Sequence, residues 1–210
     1  MSKVRLIAEC GSTHMGKLSR ILEAIHRCQD GGIDALKLQL FPNEAPYVPT
    51  NIWLDPEIFV TAFNYAKKHS FQLSASCFDQ SSYELLKTLN VPFIKLAYGK
   101  KEQFSWIADD GQERIVSCDV MTDHLVPSYA TKLYCIPEYP VRYEVAFDGL
   151  FPRFDGFSDH TMGIRQTVRA IEAGAKVIEK HVRLGYADET CPDARFAVTI
   201  EEFAKVRKND

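Results

Sequence analysis

Lys37 and Lys95 are the residues from which a chemical reading of this sequence starts, because each interrupts an apolar stretch: Leu36 and Leu38 flank the first, Ile94 and Leu96 the second. A lysine standing alone is ordinarily a surface charge whose methylene stem lies along apolar neighbours. These two have neighbours that should be buried, and a buried ammonium needs an anion. With the hydroxyls of Ser76, Ser117 and Ser158 they make a suitable environment for a phosphate and a carboxylate. Schiff-base chemistry at either lysine is the alternative. His160 and His181 add a second kind of chemistry, since neutral imidazoles can hold a divalent ion together with waters and substrate oxygens.

Such residues act together only if the backbone aims them at one place. Strand-like and helix-like segments alternate along the whole chain, the pattern of a parallel sheet covered by helices. Strands are expected at residues 4–10, 35–40, 72–77, 93–97, 114–118, 132–135, 155–157 and 176–181. Helices are expected at 18–30, 56–69, 81–89, 164–173 and 200–207, with a short one near 103–109. Gly31-Gly32 stops the first, and Asp55 with Pro56 opens the second. A loop with Pro42, Pro46 and Pro49 comes after the second strand.

Eight strand-helix units in 210 residues fit a compact (β/α)8 TIM barrel, with the helices after strands 5 and 6 short or missing. A doubly wound open sheet is the rival, but no Gly-x-Gly-x-x-Gly turn supports its dinucleotide-binding form. Catalytic groups of a barrel stand at the C-terminal strand ends. Glu9, Lys37 with Gln39, Ser74 with Ser76, Lys95, Ser117, and Glu179 with His181 occupy such ends, and Ser158 and His160 come after strand seven. Side chains two apart share a strand face, so several of these pairs should converge.

Hydrophobic residues make up 46% of the chain and charged residues 25%, as in a globular protein. One domain spanning 1–210 is expected. The net charge of −3, with Lys and Arg dispersed, offers no basic stripe for nucleic acid. No apolar run approaches the roughly 20 residues of a membrane span, and no signal peptide is visible, so a cytoplasmic location is expected. The six cysteines lack CxxC spacing and read as reduced, small buried hydrophobes.

The stretches Ala8-Glu9-Cys10-Gly11-Ser12-Thr13-His14-Met15-Gly16, Lys37-Leu38-Gln39, Ser76-Cys77-Phe78-Asp79, Tyr139-Pro140, Ser158-Asp159-His160-Thr161 and Ile178-Glu179-Lys180-His181 resemble the barrel of N-acetylneuraminate synthases and their legionaminate and pseudaminate relatives. The resemblance implies a transferase-type condensation of phosphoenolpyruvate with an N-acetylated hexose, such as N-acetylmannosamine. The product would be a nine-carbon 2-keto sugar acid, with release of phosphate. It implies Mn2+ or Mg2+ on His160 and His181, and phosphoenolpyruvate on Lys37, Ser76, Lys95, Ser117 and Ser158. Glu9, Gln39, Tyr139 and Asp193 would meet the sugar and its reacting groups.

The chain departs from the family pattern at Tyr98, where a phosphate-binding serine is usual, at Lys100, where a glutamate orients water, and at Pro137. Lys100 cannot serve as a carboxylate base and would join the anion site. The small antifreeze-like C-terminal domain is not expected within this chain, so a homodimer or a separate partner subunit would complete the sugar site. A family member that binds a phosphorylated ligand without turnover, and a lysine-based aldolase, are the alternatives.

Overall fold

The computed structural model describes residues 3–41, 53–185 and 191–209. Eight parallel strands, β1 (Arg5–Glu9), β2 (Ala35–Leu40), β3 (Gln72–Cys77), β4 (Phe93–Leu96), β5 (Glu113–Cys118), β6 (Thr131–Cys135), β7 (Gly156–Asp159) and β8 (Val177–Arg183), lie side by side in chain order. β8 pairs back onto β1, with His181 opposite Glu9, and closes a barrel. A two-residue strand, β9 (Val198–Thr199), adds to the upper end of β8.

Helices α1 (Leu18–Asp30), α2 (Pro56–Lys68), α3 (Gln80–Leu89), α4 (Arg165–Glu172) and α5 (Ile200–Ala204) cover the outside. Their apolar residues recur at helical spacing: α1 buries Ile21, Ala24, Ile25 and Cys28. Burying such a side chain contributes roughly 1.5–3 kcal/mol. The caps match the local sequence. Asp55 accepts from the Glu57 amide to open α2, and Asp79 forms a capping box with Ser82 to open α3.

Two expectations of the sequence change in detail. β7 starts at Gly156 and runs to Asp159, so Ser158 belongs to the strand. The last helix is shorter than expected, and a 3-10 helix at Lys205–Asn209 continues it. After β5 the chain makes a 3-10 helix at Asp123–Leu125 in place of a full covering helix. Val145, Phe147 and Phe154 of the β6–β7 connection are buried against the barrel on that flank. The loop bearing Pro42, Pro46 and Pro49 lies outside the described residues.

Alternation along the strands builds the barrel interior in layers. At its lower end Arg5 pairs with Glu113 at 2.7 Å and donates to Gln72 Oε1 at 3.1 Å. Above that plug lies an apolar layer of Ile7, Ala35, Phe93, Ile115, Leu133 and Val177. The next inward positions, toward the C-terminal ends, carry the polar groups. Gly156 occupies an inward position where an added Cβ would fall 1.9 Å from the Val177 carbonyl oxygen, so β7 and β8 require glycine there.

Candidate active site

Register brings the inward residues of six strands together. Glu9 lies beside Lys37, Gln39 beside Ser76, Ser76 beside Lys95, and Ser158 beside Glu179. Lys37 and Lys95 are each 2% exposed. Lys37 Nζ stands 2.8 Å from Glu9 Oε1 and 3.1 Å from Glu179 Oε2, and Lys95 Nζ stands 3.5 Å from Glu179 Oε1. The ammonium groups also donate to hydroxyls, Lys37 to Ser76 at 3.0 Å and Lys95 to Ser117 at 2.7 Å. Ser158 donates to Glu179 at 2.8 Å, and Gln39 Nε2 donates to Glu9 at 2.7 Å.

Glu179 is therefore the hub of the cluster. Its face was legible from strand alternation; its bridging of both lysines was not, because that depends on β2, β4 and β8 meeting across the barrel. Each charge is buried at a desolvation cost of several kcal/mol, which is offset only while its partners remain in place. Burial would raise the Glu9 carboxyl, but the charges of His181, Lys37 and Lys95 hold it at about 2. Burial works against the Lys37 ammonium, yet Glu179 and Glu9 together push it above the ordinary lysine value. Lys95, shielded by burial and repelled by Lys37, is pulled below that value despite Glu179.

The two imidazoles meet beside this cluster with ring centroids 5.5 Å apart. His160 Nδ1 lies 3.0 Å from the Ile136 carbonyl, to which it donates, so the lone pair is left on Nε2. Burial, then the neighbouring His181, depresses His160 to about 4, and it is neutral at pH 7. His181 Nε2 is 3.2 Å from Glu9 Oε2, and its Nδ1 is 3.5 Å from Asp193 Oδ2. Burial acts against its protonation, but Glu9 and Asp193 outweigh it and raise the imidazole above its usual value. Tyr139 tilts over His160 at 4.2 Å, and Phe196 meets His181 edge-on at 4.8 Å.

Thus Glu9, Lys37, Gln39, Ser76, Lys95, Ser117, Tyr139, Ser158, His160 and His181 surround one pocket. Asp193, on the 3-10 helix Pro192–Arg195, reaches it through His181. Lys100 comes after β4 as the residue preceding a 3-10 helix and is not among the side chains lining the pocket. Ser74 points inward one layer lower and donates to the Phe93 carbonyl. The free space among these groups is small, about 40 Å3. A ligand must therefore replace contacts that the side chains make with one another.

Cys135 and Tyr98, the latter already marked by the sequence, also line the pocket, and Phe196 packs on His181 beside it. Cys135 faces it with its thiol pushed by burial to about 12, and so protonated. Phe196 has no strand periodicity to announce it. Tyr98 lines the pocket and donates from Oη to Asp119 Oδ2 at 2.6 Å; that bond first, then burial, lifts the phenol to about 12. All six cysteines are buried.

The Asp159 and Lys180 positions of the two histidine motifs turn outward instead. They form a fully buried pair at 3.1 Å, in which Asp159 also accepts from the Thr161 amide and hydroxyl and from Thr167. This network fixes the strand ends that carry His160 and His181. A larger groove of about 600 Å3 beside α1 and α5 lies away from all of this, and Arg27 there is paired with Glu23 and Glu201.

Fold and site define an eight-stranded (β/α)8 barrel with a buried acid–lysine–histidine cluster at the C-terminal strand ends. Residues 106–209 match the model of the NeuB family, and the chain is similar in sequence to sugar-acid synthases. It is 26% identical to the N-acetylneuraminate-9-phosphate synthase of Mus musculus, over 93% of this chain and 66% of that protein. It is 27% identical to the N,N'-diacetyllegionaminic acid synthase of Legionella pneumophila, over 84% of this chain and 63% of that protein. The chain thus spans about two thirds of the length of these curated relatives. In fold it is similar to the N-acetylneuraminic acid (sialic acid) synthetase of Leptospira borgpetersenii, solved in complex with citrate. The TM-score is 0.83 at 23% identity, covering 99% of this chain and 82% of that one. No helix among the described residues is long and apolar enough to cross a membrane.

Proposed function

We propose that this barrel joins phosphoenolpyruvate to the open-chain form of an N-acetylated hexose such as N-acetylmannosamine, giving a nine-carbon 2-keto sugar acid and phosphate. The observation that carries the proposal is the meeting of Lys37 and Lys95, both buried, with Glu9, Glu179 and the His160–His181 pair in one pocket. Lys37 with Ser76 and Lys95 with Ser117 supply donors for the phosphate and carboxylate of the donor substrate. Their present partners, Glu9 and Glu179, favour the charged form of each ammonium until the ligand takes over. The enol carbon C3 then attacks the sugar aldehyde, and water adds at C2 before phosphate leaves.

The histidine pair suits a divalent metal such as Mn2+ or Mg2+. His160 Nε2 keeps a lone pair because Nδ1 is committed to a carbonyl, and His181, whose nitrogens lie 3.2 Å from Glu9 and 3.5 Å from Asp193, would release its proton to bind the ion. No cluster of three or more His, Cys, Asp or Glu side chains forms a metal site among the described residues, so waters and substrate oxygens would fill the remaining positions. A metal held there would polarise the aldehyde carbonyl. Glu9 and Asp193, flanking His181, orient that imidazole and accept hydrogen bonds from sugar hydroxyls, while Tyr139 covers His160.

The test is incubation of the purified chain with Mn2+, phosphoenolpyruvate and a panel of N-acetylhexosamines. Stoichiometric phosphate and 2-keto acid are expected, and no release with any acceptor would refute the proposal. His160→Ala and His181→Ala should each abolish Mn2+ binding with the fold retained; stoichiometric Mn2+ in either variant would remove that pair as ligands. A second reading, a phosphorylated-ligand binder without turnover, draws on the Tyr98–Asp119 bond and the position of Lys100. Calorimetry showing phosphoenolpyruvate binding with no product would favour it. The third, a lysine-based aldolase, predicts a borohydride-trapped carbonyl adduct at Lys95 or Lys37.

A further inference from the structure

We propose that Gly11 and Ser12, the second and third residues after β1, are positioning residues that seat the Asp193 carboxylate against His181. The kinetic part of this inference rests on the synthase reading above; the structural part does not. Ser12 and Asp193 are 181 positions apart in the chain, so nothing local brings them together. Ser12 nevertheless meets Asp193 three times. Its amide donates to Asp193 Oδ2 at 2.8 Å, its hydroxyl donates to the same oxygen at 2.7 Å, and its Oγ accepts from the Asp193 amide at 3.3 Å. Ser12 is 4% exposed, so water does not compete for these bonds.

Asp193 Oδ2 is also the atom that stands 3.5 Å from His181 Nδ1. One oxygen thus joins the loop after β1 to the imidazole at the end of β8. Without the Ser12 side chain the carboxylate would keep its attraction to His181 and the residue-12 amide, but lose the hydroxyl donor, and the Asp193 amide would lose its acceptor. The short 3-10 helix that carries it holds it only through its own backbone, where the Phe196 and Ala197 amides donate to the Asp193 carbonyl at 3.2 and 2.9 Å.

Gly11 makes the second, independent contribution. Its backbone does not adopt the left-handed conformation that calls for glycine. Space is the reason instead, since a Cβ there would fall 2.7 Å from Asp193 Oδ2 and 2.9 Å from Gln39 Oε1. Both are tips of movable side chains, so an added methyl would leave the barrel intact and displace those two groups. Gln39 in turn donates to Glu9, so the displacement reaches both carboxylates that flank His181. The sequence at 11 and 12 sets the aim of the acid side chains without either residue touching a substrate.

Hydrogen exchange and kinetics together test this. In metal-free, ligand-free protein, Ser12→Ala is expected to speed exchange of the Phe196 and Ala197 amides at least tenfold, with the melting temperature shifted by no more than about 3 °C. In turnover, Ser12→Ala and Gly11→Ala are each expected to lower kcat about tenfold while changing the KM for phosphoenolpyruvate less than twofold. In an Asp193→Ala background, where no side-chain oxygen is left to seat, Ser12→Ala should lose most of its effect on kcat, as a double-mutant cycle requires of residues that act through one another. Unchanged exchange in Ser12→Ala, or an undiminished effect on kcat in the Asp193→Ala background, would overturn the proposal. A wild-type chain with no turnover sinks the synthase reading alone, and the exchange measurements then decide on the seat by themselves.

Discussion

At the scale of single residues, the pocket is a set of charges that satisfy one another. Lys37, Lys95, Glu9 and Glu179 exchange contacts of 2.8 to 3.5 Å, which leaves little free space. Much of this could be read from the sequence, because period-two alternation puts Lys37 with Gln39, and Glu179 with His181, on one face. Alternation cannot supply the fate of a residue beyond a strand end. Tyr98 is the case in point: its phenol closes on Asp119 at 2.6 Å, two loops meeting by tertiary contact. If the ring restricts the donor side of the pocket, Tyr98→Ser should lower the KM for phosphoenolpyruvate about tenfold. The lost hydrogen bond to a charged group should cost about 1.5–3 kcal/mol of stability. Steady-state kinetics and urea unfolding measure the two effects, and a KM that rises would show that Tyr98 binds the donor instead of crowding it.

At the scale of elements, helix and strand positions were largely legible, since Asp55-Pro56 and Gly31-Gly32 mark helix ends by local chemistry. The β7 boundary was not. Its four residues are too few to show alternation, and the strand is defined by its neighbours: Ser158 pairs with both Cys135 and Glu179. The flank after β5 and β6 has a similar cause, since buried side chains of an irregular connection do there what a helix does elsewhere. Gly156 is where element packing is tightest. A Cβ would meet the backbone of Val177, which no rotamer change relieves. Gly156→Ala should therefore force β7 from β8 and cost about 3 kcal/mol or more, at the upper end of overpacking effects. Differential scanning calorimetry would detect it; a variant within about 0.5 kcal/mol of the wild type would show that the two strands are free to separate.

At the scale of the whole molecule, the same burial that builds the site makes stability depend on pH. His14 and His160 are both buried and neutral, each depressed to about 4 from 6.5, His14 by burial and His160 by burial and then His181. Below pH 6.5 the unfolded chain protonates both histidines while the folded chain resists until about pH 4, so stability falls as pH falls through that interval. His181 behaves oppositely. Its raised value means the folded state holds a proton that the unfolded state releases, so its contribution is present below 6.5 and lost as pH rises. Between pH 6.5 and 4 the unfolded state thus binds about two more protons than the folded state from these three groups, a slope of roughly 2.7 kcal/mol per pH unit. The metal-free protein should be most stable near pH 6.5 and weaken steeply below it, well before carboxylate protonation takes over. His14→Asn, which removes one of the two neutral imidazoles and lies outside the pocket, should reduce the slope to about one proton. Urea titrations at half-unit pH steps read the slope directly, and a wild-type stability that is flat between pH 6.5 and 4.5 would mean that these imidazoles gain their protons without opening the fold.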